Sequence, residues 1–275
     1  MLKTCVIAAL GWCALRSATA APVAETVLSL ANVPRPARQS IEARAANGRL
    51  EQIVRVSEEG ENSYDVELVR AGQSCSFTIA ESGELLAEEV SLSQVPAAVR
   101  RAIRGRLGKS ELESVTKVFD EGEVTYTVSS LQGGRTREFT LSESGELLSL
   151  QVFPVELSAE LQAAIKKAAG SGEAGDIFKL TEDDEVSYEL DITGNGRTRT
   201  VTFDADAALV AEEEPVGLRD TPAPVQKALT AEMAGGKLLA LHRITEDGEV
   251  TYEAKILRAG KRQSVTVASN GKAMN

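Results

Sequence analysis

Four acidic clusters, four tyrosines, one histidine and one glycine-rich loop carry whatever chemistry this 275-residue chain has. The clusters are Glu58-Glu59-Gly60-Glu61, Asp120-Glu121-Gly122-Glu123, Glu182-Asp183-Asp184-Glu185 and Glu246-Asp247-Gly248-Glu249. Calcium takes six to eight oxygens, and these clusters lack the spaced Asp-x-Asp-x-Asp-Gly loop that supplies them. They read as solvated hairpin turns. His242 is the only histidine. With no Cys or His at ligand spacing it does not make a usual zinc site, and no Gly-x-Ser-x-Gly elbow accompanies it. Gly170-Ser171-Gly172-Glu173-Ala174-Gly175 matches the string Gly-x-Gly-x-x-Gly. A phosphate-binding loop needs a strand before it and a helix after it, and here the order is reversed. No residue is assigned a catalytic, cofactor-binding or metal-binding role, no cofactor is expected, and the chain does not read as an enzyme.

The same residues mark a repeat. Tyr64, Tyr126, Tyr188 and Tyr252 are spaced 62, 62 and 64 residues apart. A glutamate lies three before each (Glu61, Glu123, Glu185, Glu249), and a glycine eight after each (Gly72, Gly134, Gly196, Gly260). A basic residue lies nine before each (Arg55, Lys117, Lys179, Arg243). Coincidences in one frame at this period indicate tandem copies of one small unit. His242 stands where the other copies have Val54, Thr116 and Phe178, so the position needs no imidazole.

Each copy opens with Pro34, Pro96, Ser158 or Pro222, followed by an apolar stripe at i, i+4 and i+8. The stripes are Ala37/Ile41/Ala45, Val99/Ile103/Leu107, Leu161/Ile165/Ala169 and Val225/Leu229/Met233, each on one face of a helix. A first strand holds Ile53/Val56, Val115/Val118, Ile177/Leu180 or Leu241/Ile244. The acidic turn follows, then alternating strands such as Tyr64-Val66-Leu68 and Phe77/Ile79. A turn at Gly83, Gly145, Ala207 or Gly271 leads to a short fourth strand, cut short at Ala273-Met274 in the last copy. The fold class is therefore α+β, in tandem repeats, each one helix packed on a four-stranded antiparallel meander sheet. The parity of the tyrosines makes them core rings. The basic residues are placed on the outer sheet face, near Asp65, Glu189 and Glu253. Glu212-Glu213-Glu214-Pro215, beside a two-residue length change, reads as a linker that splits the copies into pairs.

Residues 1–20 read as a signal peptide: a positive start at Lys3, an apolar run from Cys5 to Leu15, then Ala18-Thr19-Ala20. Removing Lys3 and Arg16 leaves 28 basic against 41 acidic residues, a net charge of −13. Such a surface repels nucleic acid and anionic membranes and suits a basic partner. Only Cys75 remains of three cysteines, so no internal disulfide holds the fold, and Cys75 reads as a half-buried residue near a strand start.

Val33-Pro34, Gly60-Glu61 through Tyr64-Asp65-Val66-Glu67, and Gly83-Glu84-Leu85-Leu86, with their counterparts, carry a resemblance to the PepSY and PepSY-like (beta-lactamase-inhibitor-like) domain family. The resemblance covers four tandem copies, residues 27–89, 90–151, 152–213 and 214–275. It implies a periplasmic or extracellular, non-catalytic module that binds another exported protein. The partner would be a hydrolase or peptidase that the module restrains or inhibits. No nucleic acid and no membrane insertion are expected. The alternative is a structural or ligand-sequestering envelope protein without inhibitory activity.

Overall fold

The computed structural model describes residues 24–58, 61–120, 122–182, 185–258 and 261–274. The expected signal peptide lies outside the described residues, as do Glu59, Gly60, Glu121, Asp183, Asp184 and Gly260. The chain divides into two units, one of Glu25–Val56 with Ser63–Leu150 and one built mainly of Gln151–Asn275.

The first unit runs β1 (Ala24–Val27), α1 (Arg35–Ala45), β2 (Arg49–Glu58), β3 (Glu61–Arg70), β4 (Gln73–Ala80), β5 (Leu85–Glu89), α2 (Ala97–Leu107), β6 (Glu111–Asp120), β7 (Glu123–Gln132), β8 (Arg135–Ser142) and β9 (Leu147–Val152). Strands β2 to β9 neighbour one another in chain order, and β1 pairs with β2. The second unit runs α3 (Ala159–Ala169), β10 (Glu173–Glu182), β11 (Glu185–Gly194), β12 (Arg197–Asp204), β13 (Leu209–Pro215), α4 (Ala223–Met233), β14 (Lys237–Glu246), β15 (Glu249–Arg258), β16 (Lys261–Ala268) and β17 (Ala273–Met274). Its strands again pair antiparallel in chain order.

The helices form where the apolar stripes predict them. Pro34, Pro96 and Pro222 are the N-cap residues, where a proline costs no helical hydrogen bond. Ser158 takes that place before α3, and its hydroxyl accepts from the Leu161 N–H at 3.1 Å. The stripes are sealed: Ala37, Ile41, Val99, Ile103, Val225 and Leu229 are 0% exposed. They pack on the strand residues that share a face with the tyrosines, such as Val66, Val128 and Ala254. Removing that apolar surface from water is the main force holding helix to sheet.

Tight turns set the hairpins. Asn195 and Gly196 both have positive φ, 54° and 73°, the backbone of a two-residue turn whose twist matches the flanking strands. At Gly145 (φ 82°) a Cβ would lie 2.9 Å from the Ala98 carbonyl oxygen, so the turn approaches the first turn of α2 too closely for a side chain.

One expectation needs correction. Glu212-Glu213-Glu214-Pro215 is not a linker; it is most of β13. Glu213 stands opposite Ile244 and Glu214 opposite Arg243. The acids tolerate the strand because cations answer them. Arg199 Nη1 lies 2.9 Å from Glu212, Arg243 Nη2 lies 2.8 Å from Glu214, and His242 meets Glu213. The two extra residues lengthen β13 to 7 residues from the 5 of β5. An insertion of two preserves which face each side chain takes. β1 lies against β2, in the place that β5 takes on β6 and β13 on β14. Leu28 N–H donates to Ile53 O, Val90 to Val115 O and Val216 to Leu241 O, at 2.8, 2.8 and 2.9 Å.

Candidate functional site

Strand alternation divides each sheet into a tyrosine face, which carries the helices, and an opposite face. Tyr64, Tyr126 and Tyr252 are buried, and Tyr188 is half-buried. Burial raises the Tyr64 and Tyr126 hydroxyls above their ordinary range, with Glu81 and Glu143 adding to it. These are core rings with no free role.

The opposite face is a ladder of hydroxyls and carboxylates. The residue after each tyrosine stands across from a threonine: Asp65 from Thr78, Thr127 from Thr140, Glu189 from Thr202 and Glu253 from Thr266. The next rungs pair Glu67 with Ser76, Ser129 with Glu138 and Asp191 with Thr200. In the first unit the Thr78 hydroxyl donates to Asp65 at 2.8 Å and the Ser76 hydroxyl to Glu89 at 3.2 Å. Thr136 and Ser129 both donate to Glu113, at 3.1 and 3.0 Å. In the second unit Thr200 donates to Asp191 at 2.7 Å. Each of these hydroxyls fixes the direction of the carboxylate that it bonds.

In the second unit Glu189, Asp191 and Glu213 act on one another electrostatically. Glu189 on β11 lies between buried Phe178 on β10 and buried Thr202 on β12. Burial, followed by the negative charges of Asp191 and Glu213, pushes its carboxyl up to about 7. His242 Nδ1–H donates to Glu213, and the His242 side chain is 15% exposed. Across the strand from His242 stands Glu253. The sequence alone marks the histidine but not its carboxylate, because Glu212-Glu213-Glu214-Pro215 reads there as a linker. The threonines were also missed, although each lies 14 residues after its tyrosine.

The repeated basic residues do not lie on this face. Lys117, Lys179 and Arg243 stand opposite Tyr126, Tyr188 and Tyr252. Arg55 acts electrostatically on Tyr64. The physical reason is parity: each is two residues beyond a buried position, Ile53, Val115, Ile177 or Leu241, and so takes the same side. There they run along the core with charged ends at its margin. Lys117 Nζ lies 4.7 Å from the centre of the Phe119 ring.

The other candidates are dispersed. Asp247 and Gly248 form a hairpin turn with φ 49° and 81°. Among the described residues, no group of three His, Cys, Asp or Glu is placed to hold a metal ion. The glycine-rich segment leaves the end of α3 and enters β10, the reverse of a phosphate loop. A cleft of about 230 Å³ opens there, lined by Ser171, Gly172, Gly194, Arg197 and Glu214 among others. Cys75 is a free, half-buried thiol packed against the first core. Among the described residues no helix is long and apolar enough to cross a membrane.

No family model matches the chain. No curated protein matches it at significance. Several solved structures resemble parts of it. A DUF2874 family protein from Bacteroides uniformis is 20% identical, at a TM-score of 0.37, over 43% of this chain and 86% of that one. A BLIP-like protein from Bacteroides fragilis is 20% identical, at 0.36, over 43% and 84%. A Bacteroides vulgatus protein described as periplasmic and of unknown function is 17% identical, at 0.32, over 46% and 98%. At these scores the likenesses decide nothing about activity.

Proposed function

We propose that the chain is an exported, non-catalytic protein-binding module made of four PepSY-like copies, residues 27–89, 90–151, 152–213 and 214–275. It docks a basic surface of another exported protein, a hydrolase or peptidase, on the opposite sheet face and restrains it. The observation that carries this reading is the hydroxyl–carboxylate ladder: within each unit its acids, Asp65 and Glu67 in the first and Glu189, Asp191 and Glu253 in the second, lie on the face away from that unit's helices. Acceptors fixed on strands need no reordering when a lysine or arginine arrives, so they give orientation and a fast encounter. Within the ladder Ser76, Thr78, Ser129, Thr136 and Thr200 donate to carboxylates and act as orienting groups. The net charge of −11 favours the same class of partner. Four similar faces on one chain add weak contacts through effective concentration.

The test is capture from the exported fraction on immobilised mature protein, with hydrolase activity assayed before and after binding. A captured hydrolase whose activity falls supports the reading. Turnover of a substrate by the purified chain would reject it. Capture with no loss of activity would favour the alternative, a structural or sequestering envelope protein.

A further inference from the structure

We propose that the cleft at the end of α3 is a binding site for a small monocarboxylate of amino-acid size. The cleft traces to one residue. Six positions after the tyrosines stand Arg70, Gln132, Gly194 and Arg258, each entering a hairpin turn. The Arg70 guanidinium donates to the Arg44 carbonyl of α1, and Arg258 Nη1 donates to the Glu232 carbonyl of α4 at 3.4 Å. Both carbonyls belong to the last residue but one of their helices. The equivalent carbonyl of α3 is that of Ala168, and Gly194 has no side chain to reach it. Arg199 makes the bond instead, its Nη2 donating from β12 at 2.6 Å. Where a long side chain is missing at position 194, a cleft of about 230 Å³ stands open, with Gly194 in its wall.

The charges around the cleft leave one cation over. Arg199 Nη1 lies 2.9 Å from Glu212, and Glu214 lies 2.8 Å from Arg243. The Arg197 side chain makes no ion pair or hydrogen bond among the described residues, nor do the side chains of Ser171 and Asn195. A guanidinium, a hydroxyl and a carboxamide on the cleft wall are therefore available as donors to an anion. Ala169, Ile192 and Pro215 add apolar surface for the body of the ligand. One spare positive charge matches one negative charge. A phosphate dianion would carry its second charge toward Glu214 and the negative end of α3. The volume is below the roughly 300–1,000 Å³ of drug-sized sites, which limits the occupant to a molecule about as large as an amino acid.

The probe is N-acetylalanine, titrated onto the full mature protein and followed by the backbone amide shifts of Gly172, Gly194 and Thr198. N-acetylalanine amide is the neutral control. Acetyl-Ala-Ala-Ala with a free C-terminus separates two sources of the carboxylate: tighter binding assigns the site to a chain end, and equal or weaker binding to a free acid. The acid should shift these amides, and Arg197→Gln should weaken its binding by about fivefold. Gly194→Arg restores the residue found at positions 70 and 258 and should abolish binding. A Cβ at Gly194 meets Gly172 Cα at an ordinary 3.4 Å, so the backbone accepts the change. Arg135→Gln, at the equivalent turn beside Gln132, should leave binding unchanged. The absence of shifts with tens of millimolar acid overturns the proposal. So does equal binding of the amide, tighter binding of inorganic phosphate, or a Gly194→Arg protein that binds the acid as well as the wild type.

Discussion

Glu189 offers the sharpest arithmetic in the molecule. Its carboxyl is raised from 4.5 to about 7, first by burial and then by Asp191 and Glu213. The unfolded chain releases this proton near 4.5, and the folded chain keeps it until about 7. Between those values the native state holds more protons, so stability falls as pH rises, and it levels off above the window. At about 1.4 kcal/mol per unit, the full swing is about 3 kcal/mol. Glu189→Gln keeps the shape of the neutral acid and cannot ionise. At about pH 4 the variant and the wild type should be equally stable, and at about pH 8 the variant should be more stable by up to 3 kcal/mol. Urea unfolding followed by far-UV circular dichroism measures both. Contributions from groups that do not sense Glu189, such as Glu246, are common to both proteins and cancel in the difference. A stability difference that does not change between the two pH values would refute the reasoning.

Other substitutions test the frame. Gly145→Ala adds a Cβ 2.9 Å from the Ala98 oxygen at φ 82° and should cost more than about 1 kcal/mol. The equivalent Ala207 already sits at φ 65°, so Ala207→Gly should stabilise by about 0.5–1 kcal/mol; thermal melts of both proteins check the pair. Ile103→Ala removes a side chain that is 0% exposed and should cost about 2–5 kcal/mol in urea unfolding. Deleting Glu214 with Pro215 shortens β13 to the length of β5 and keeps side-chain parity. Deleting Glu214 alone reverses that parity, so by hydrogen exchange the single deletion should expose more of β13 and β14 than the double one.

Much of this fold was legible because it depends on local periodicity. Stripes such as Val99/Ile103 marked the helices, and the tyrosine and glycine spacing marked the strands and turns. What escaped depends on cross-strand neighbours. Glu212-Glu213-Glu214-Pro215 looks like a linker when its charges are counted alone. It becomes a strand once Arg199, His242 and Arg243 stand beside it. The basic residues went to the wrong face because a charge was assumed to point away from the core. Parity with Ile53 or Leu241 overrides that assumption, since a long side chain can bury its stem and keep its head at the margin. The site was legible only as scattered acids. The ladder needed the register that puts Asp65 opposite Thr78 and Asp191 opposite Thr200.

The claim that the opposite sheet face binds a basic partner is tested most directly by neutralising it. Glu189→Gln, Asp191→Asn and Glu253→Gln combined leave the tyrosine face and helices untouched. With circular dichroism unchanged, this variant should lose capture of the exported partner by at least about tenfold, and wild-type capture should weaken as salt rises. Equal capture by the variant and the wild type would contradict the account.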